Sequence, residues 1–185
     1  MNPPNTSREE IMRVSRKIVS EKGLPALNMR TLAKECGIAL GTLYNYYSDK
    51  DELVVAAIES VWQDILEKSA PDSGVRFSQF VTQTYAHIIE KLKDYPDFLA
   101  PHSISVAGSV KGKARGMMER CFGKIRSELH AALREDKNVA RSIFSETFRE
   151  EDLTEHILDT ITISIINGKP DCATLTEILD RLLYR

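Results

Sequence analysis

Apolar residues recur at three- and four-residue intervals along nearly the whole chain, a period that leaves little alternative to a packed set of α-helices. The helices are punctuated most clearly near the start. "SREE" at 7–10 has the form of a capping box, with Ser7 accepting from the Glu10 amide and Glu10 reaching back. Ile11, Val14, Ile18 and Val19 follow at helical spacing, and Gly23 with Pro25 stops that helix. Asn28 is placed to cap a short second helix whose inner face holds Leu32, Ala33 and Cys36. Gly37 breaks the chain. A third short helix carries Leu43 and Tyr47 one turn apart, and Ser48 with Asp51 opens a long fourth helix bearing Val54, Ile58, Val61, Trp62 and Ile65.

The later segments continue the pattern. "APDSG" at 70–74 reads as the boundary between a head and a body. Val75 to Leu92 is amphipathic and ends near Asp94-Tyr95-Pro96; residues 97–110 fit no template; Lys113 to Leu133 is helical, with Met117, Cys121, Ile125 and Leu129 on one stripe. Residues 153–166 and 174–184 form two last helices, the second opened by a Thr174/Glu177 capping box. "TITISII" (160–166) alternates as a strand would, yet it has no partner strand and continues the four-residue run Leu153, Ile157, Ile161, Ile165. A helix is the expectation there. The fold class is therefore all-α: a three-helix helix-turn-helix head and a helical-bundle body, about nine helices in all.

Composition narrows the function. With 42% hydrophobic and 28% charged residues, the 185-residue chain has the balance of an ordinary globular protein with a real core. The net charge is −2, but residues 1–50 hold eight Lys/Arg against five acids, so a +3 head precedes a −5 body. That asymmetry hints at a head that meets nucleic acid. Cys36, Cys121 and Cys172 are odd in number and widely spaced, which favours a reducing cytoplasm over a disulfide framework. No charged-then-apolar leader pattern and no apolar run of about 20 residues is present, so neither secretion nor a membrane partner is expected. His87, His102, His130 and His156 fall in no metal-ligand spacing, and no metal or cofactor is expected. A phosphate-binding glycine loop, a nucleophile elbow and a zinc motif are all missing, so the chain does not read as an enzyme.

The stretch 28–53 is built to touch something. Ile38 would plug between the second and third helices beside Leu32, Leu43 and Tyr47. Leu40, Gly41, Thr42, Tyr44, Asn45 and Tyr46 are left outward, a face without acids that offers hydroxyls, an amide and small residues for phosphates and base edges. Ala39 brings no capping oxygen, and Lys50 places a cation at the start of the next helix, where the dipole disfavours it unless an anion is near.

The run "IMRVSRKIVSEKGLPALNMRTLAKECGIALGTLYNYYSDKDELV" strongly resembles the DNA-binding head of the TetR family of bacterial transcriptional regulators. The match covers residues 8–55 and rests on Gly23, Leu27, Leu32, Ala33, Gly37, Ile38, Gly41, Thr42, Leu43, Tyr44, Tyr47, Lys50 and Leu53; Ser15 and Ala39 depart from it. The resemblance implies a DNA-binding domain over 1–50, with a recognition helix at about 39–46, and an effector-binding and dimerisation domain over 51–185. It implies a cytoplasmic homodimer on a palindromic double-stranded operator, released when a small-molecule effector binds. By position, Arg30, Thr31, Thr42, Tyr44, Tyr46 and Lys50 would hold the DNA backbone, while Leu40, Gly41 and Asn45 face bases. Tyr47 is core in this reading. Trp62, Phe77, Phe80, Tyr85, Met117, Met118 and Phe122 are candidates for an effector pocket, although such residues are more often plain core. Ile157, Ile161, Ile165, Ile178 and Leu182 are candidates for burial against a partner subunit. A transcriptional activator using the same head, or a helical module that binds protein, stays open beside the repressor.

Overall fold

The computed structural model describes residues 6–67, 74–100 and 111–184, less the side chains of 111–115, 117 and 118. Eight α-helices lie among the described residues: α1 (Arg8–Lys22), α2 (Met29–Glu35), α3 (Leu40–Tyr44), α4 (Lys50–Ile65), α5 (Phe77–Leu92), α6 (Lys111–Glu135), α7 (Glu150–Ile166) and α8 (Ala173–Leu183). "TITISII" is helical, as expected. Its threonines fit the helix by bonding backward one turn, Thr160 Oγ1 to the His156 carbonyl and Thr162 Oγ1 to that of Leu158, each at 2.8 Å. Residues 70–73 of "APDSG", residues 101–110 of the segment that fitted no template, and His102 lie outside the described residues.

The chain divides into two units, Met1–Ile65 with Leu92–Cys121, and Leu66–Lys91 with Phe122–Arg185. In the first, α1 starts at Ser7, whose side chain accepts from the Glu10 amide at 3.1 Å. The reciprocal half of the expected capping box does not form, because Glu10 makes a two-pronged ion pair with Arg13 at 2.6 and 2.8 Å. Gly23 ends α1 with φ at +77° and its N–H on the Val19 carbonyl, a conformation that other residues adopt only under strain. Asn28 caps α2 as expected, accepting from the Thr31 amide at 3.0 Å. The start of α4 departs from expectation. Asp49, not Ser48 with Asp51, accepts from the Glu52 amide at 2.7 Å, and Glu52 returns to the Ser48 amide at 2.8 Å. Ile11, Leu32, Leu43 and Leu53 are fully buried at the centre of this packing and Tyr47 is 2% exposed. Cys36 and Ile38, expected inside, are only half-buried. A polar seam joins α1 to α4 and to the turn after α5: Arg16 donates to Ser60 Oγ, Ser20 to the Asp94 carbonyl, and Tyr95 Oη to Asp64 at 2.8 Å.

In the second unit the buried side chains include Phe77, Val81, Tyr85, Leu129, Ile157 and Leu183. Its polar anchor is Asp136, just past the end of α6 and 6% exposed. One carboxylate oxygen accepts from the Phe77 amide at 2.8 Å and from Tyr184 Oη at 2.6 Å, tying the first turn of α5 to the end of α8. The other accepts from the amide and side chain of Asn138 at 2.9 and 3.1 Å. The expected Thr174/Glu177 box is absent. The helix starts one residue earlier, Asp171 Oδ1 accepts from the Ala173 amide at 3.0 Å, and Glu177 is held by Arg181 at 2.7 Å.

Candidate nucleic-acid interface

The short helix α3 exists because Leu43 and Tyr47 are buried on one side; five residues carry too few internal hydrogen bonds to persist alone. Ala39 contributes no side-chain cap, as its methyl dictates. The opposite side is open. Tyr44 is 49% and Leu40 36% exposed, one turn apart, and Asn45 is exposed beyond them. Between them a Cβ built on Gly41 would meet nothing within 4 Å. The protein's own packing therefore does not require glycine at this position. Thr42 is half-buried.

One cation precedes this element in the chain and one follows it. Arg30, in the first turn of α2, and Lys50, at the start of α4, are both exposed, and no ion pair engages either among the described residues. Thr31 accepts from Asn28 Nδ2 at 2.9 Å and keeps its own hydroxyl proton to offer. The expected need for an external anion at Lys50 is weaker than the sequence suggested, since Asp49 and Glu52 already place carboxylates at that helix start.

The three tyrosines separate into three environments. Tyr44 points to solvent. Tyr47 is core, and its burial pushes the phenol above its ordinary pKa. Tyr46, expected outward with Tyr44, is half-buried, and its hydroxyl donates to the Thr6 carbonyl at 2.7 Å. Thus Arg30, Leu40, Gly41, Tyr44, Asn45 and Lys50 are exposed, while Thr31, Thr42 and Tyr46 are half-buried. Arg8 reads from the sequence as part of a solvated face with Arg13 and Arg16, yet its guanidinium donates to the Tyr46 carbonyl at 2.9 Å and lies 5.2 Å from the Tyr47 ring centre. No local pattern signals that contact, because its partners are separated by 38 residues.

The residues named for an effector pocket fall in both units. Trp62 packs edge-on against Phe98 at 5.7 Å in the first unit. Phe77, Phe80 and Tyr85 are buried in the second, with Tyr85 Oη on the Lys169 carbonyl at 2.7 Å, and Phe122 is half-buried there. The side chains of Met117 and Met118 lie outside the described residues. A groove of about 330 Å³ between α7 and α8 takes none of the seven; His156, Thr160, Cys172, Ile178 and Leu182 are among its walls. No group of three or more metal-ligating side chains occurs among the described residues.

The five residues expected at a subunit interface also divide. Ile157, Ile161 and Ile165 are at most 7% exposed, already covered by their own chain, while Ile178 is 54% exposed and Leu182 half-buried. The outward apolar residues of α7 are instead Ile163 and Ile166, at 59% and 52%. Their signal in the sequence was an apolar side chain lying off the inward stripe.

Residues 11–57 match the family described as bacterial regulatory proteins, tetR family. An HTH-type transcriptional regulator of Haemophilus influenzae, itself uncharacterized, is 32% identical over 95 residues, half the length of each chain. The chain thus spans about half the length of that curated relative. Among solved structures, a candidate TetR-type transcriptional regulator of Streptomyces avermitilis is similar at TM-score 0.64 and 16% identity, over 96% of this chain and 98% of that one. The multidrug binding protein EbrR, complexed with imidazole, is similar at TM-score 0.57 and 16% identity, over 98% and 97%. These likenesses extend the shared all-helical fold through both units.

Proposed function

With a head that belongs to the tetR family as the premise, we propose that this chain is a DNA-binding transcriptional regulator, a repressor that leaves a palindromic operator when a small molecule binds residues 51–185. One observation carries the reading. The helix α3 holds Leu40, Gly41, Tyr44 and Asn45 to solvent on a face without acids, with the exposed cations Arg30 and Lys50, in no ion pair among the described residues, before and after it in the chain. Arg30, Thr31, Thr42, Tyr44 and Lys50 take the phosphate backbone and fix register. Leu40 meets a thymine methyl, Asn45 hydrogen-bonds a base edge, and Gly41 lets the helix approach. Residues 1–50 are the DNA-binding part.

The body binds the effector and a second copy of the chain. The large apolar side chains Ile163, Ile166 and Ile178, left in solvent on α7 and α8, support a homodimer through those helices. EbrR, of similar fold, is a multidrug binding protein complexed with imidazole, which supports a small-molecule effector for this chain. No described helix is long and apolar enough to cross a membrane, and a cytoplasmic regulator is the proposal. The protein-interaction alternative asks for an apolar docking face on α3, and Leu40 and Tyr44 alone do not make one.

Selection of bound sequences from random duplex DNA by the purified protein tests the proposal. A recovered palindrome is the expected result, with affinity falling steeply as salt rises. Tyr44→Ala should lose that binding and keep its helical circular dichroism. A folded Tyr44→Ala protein with full affinity would sink the assignment of α3.

A further inference from the structure

We infer that Arg8 and Tyr46 are positioning residues, which clasp the far end of α3 to the start of α1 and so set the angle of the reading helix. This rests on the DNA-binding reading above and changes the role of Tyr46 within it. The helix α3 has five residues and no side-chain cap at its start, so its orientation must come from contacts outside itself. Leu43 and Tyr47 hold its inner side. Past the last turn, the Tyr46 and Tyr47 amides both return to the Leu43 carbonyl at 3.0 and 3.1 Å. The Tyr46 carbonyl then accepts from Arg8 Nη2 at 2.9 Å. A cation at the carbonyl end of a helix is the favourable polarity, and the same guanidinium rests on the Tyr47 ring at 5.2 Å. The Tyr46 hydroxyl completes the clasp on the Thr6 carbonyl at 2.7 Å. Residues 6 and 8 at one end of the head thus grip residues 46 and 47 at the other.

Proton count separates this role from a DNA contact for Tyr46. A phenol has one hydrogen to donate, and phosphate oxygens only accept. Tyr46 cannot donate to a phosphate without releasing Thr6. Arg8 keeps further N–H groups, so for it the salt dependence of binding decides.

The experiment uses the full chain and a duplex recovered by the unaltered protein. Arg8→Ala and Tyr46→Phe should each weaken binding by about two- to tenfold, the range of one modest hydrogen bond. The double variant should be no worse than the product of the two losses, and less where the clasp acts as a unit. The slope of log affinity against log salt should stay unchanged in both. Without DNA, the Tyr46 and Tyr47 amides should exchange hydrogen about two- to tenfold faster in each variant, while amides inside α1 do not change. Arg8→Lys, which keeps a donor and the charge, should restore most of that protection. A slope that falls by about 0.9 per lost phosphate contact in Arg8→Ala would overturn the inference. So would unaltered exchange of Tyr46 and Tyr47 in free Tyr46→Phe. If the unaltered protein recovers no duplex, the DNA-binding reading fails, and the exchange measurement still decides whether the clasp exists.

Discussion

Replacing Asp136 by asparagine removes one charge and turns one acceptor oxygen into an NH2 group, at a site where both oxygens are in use. Four donors converge on the carboxylate: the Phe77 amide, Tyr184 Oη, and the amide and side chain of Asn138. Either orientation of the new amide therefore sets a donor against two donors. The cheaper one turns NH2 toward Asn138, which is exposed and can hydrate instead. Phe77 and Tyr184 then keep an oxygen but lose its charge, and each bond falls from about 1.5–3 to about 0.5–1.5 kcal/mol. Those two weakened bonds come to about 2–3 kcal/mol, and the lost contacts of exposed Asn138 add little to it. Asp136→Ala strands the buried Phe77 amide and the half-buried Tyr184 hydroxyl and should cost about 3–5 kcal/mol. Urea unfolding at pH 7 and fixed protein concentration, followed by far-ultraviolet circular dichroism, measures both. Hydrogen exchange at Phe77 locates the loss.

Acidity gives the experiment a second axis. Burial alone would raise the Asp136 pKa, but hydrogen bonds from Tyr184, Phe77 and Asn138 together outweigh it and hold the carboxyl below its ordinary range. A carboxyl depressed in the folded state stabilises above its unfolded pKa, near 4, and that contribution is lost as pH falls through the folded value. The gap between the parent and Asp136→Asn should be widest at neutral pH and narrow below about pH 4. An asparagine variant as stable as the parent at pH 7, or a gap that ignores acid, would refute the reasoning.

Other expectations follow from the same packing. Leu43→Ala empties a fully buried site under α3 and should destabilise the head by about 2–5 kcal/mol, read by exchange of head amides. Ile163→Asp and Ile178→Asp should lower the sedimentation coefficient toward that of a monomer with helicity intact, because both side chains already face water in the single chain. Tyr184 is pushed up to about 12, first by burial and then by its bond to Asp136. Its stabilising contribution should be full below about pH 10 and vanish as pH rises through the folded value, so Tyr184→Phe should flatten the alkaline loss of stability in that window.

Much of this architecture is legible locally. Asn28 as a cap, Gly23 as a stop, Tyr47 as core and the helix through "TITISII" all depend on side chains within a turn or two of one another, where spacing carries the information. The misreadings also have physical causes. Glu10 had two partners in reach and took the guanidinium of Arg13 over a backbone amide, because the ion pair is bidentate. At α4, Ser48, Asp49, Asp51 and Glu52 are all chemically able to cap, and sequence cannot rank them. Ile163 and Ile166 were overlooked because α7 is apolar on more than one side, so periodicity alone does not say which stripe faces in. The anchor at Asp136 and the grip of Arg8 on Tyr46 join residues 38 or more apart, and only the fold brings them together.

Gly41 carries one last implication. Since a methyl group there would touch nothing, alanine should be accepted and should strengthen α3 by about 1 kcal/mol through helix propensity. A redesign scored only on folding would choose alanine and, if α3 lies against a duplex, would produce a more robust protein that binds its target poorly. The bare position is then stability forgone in exchange for close approach. The difference between thermal midpoint and operator affinity in Gly41→Ala measures how the two demands oppose each other at a single residue.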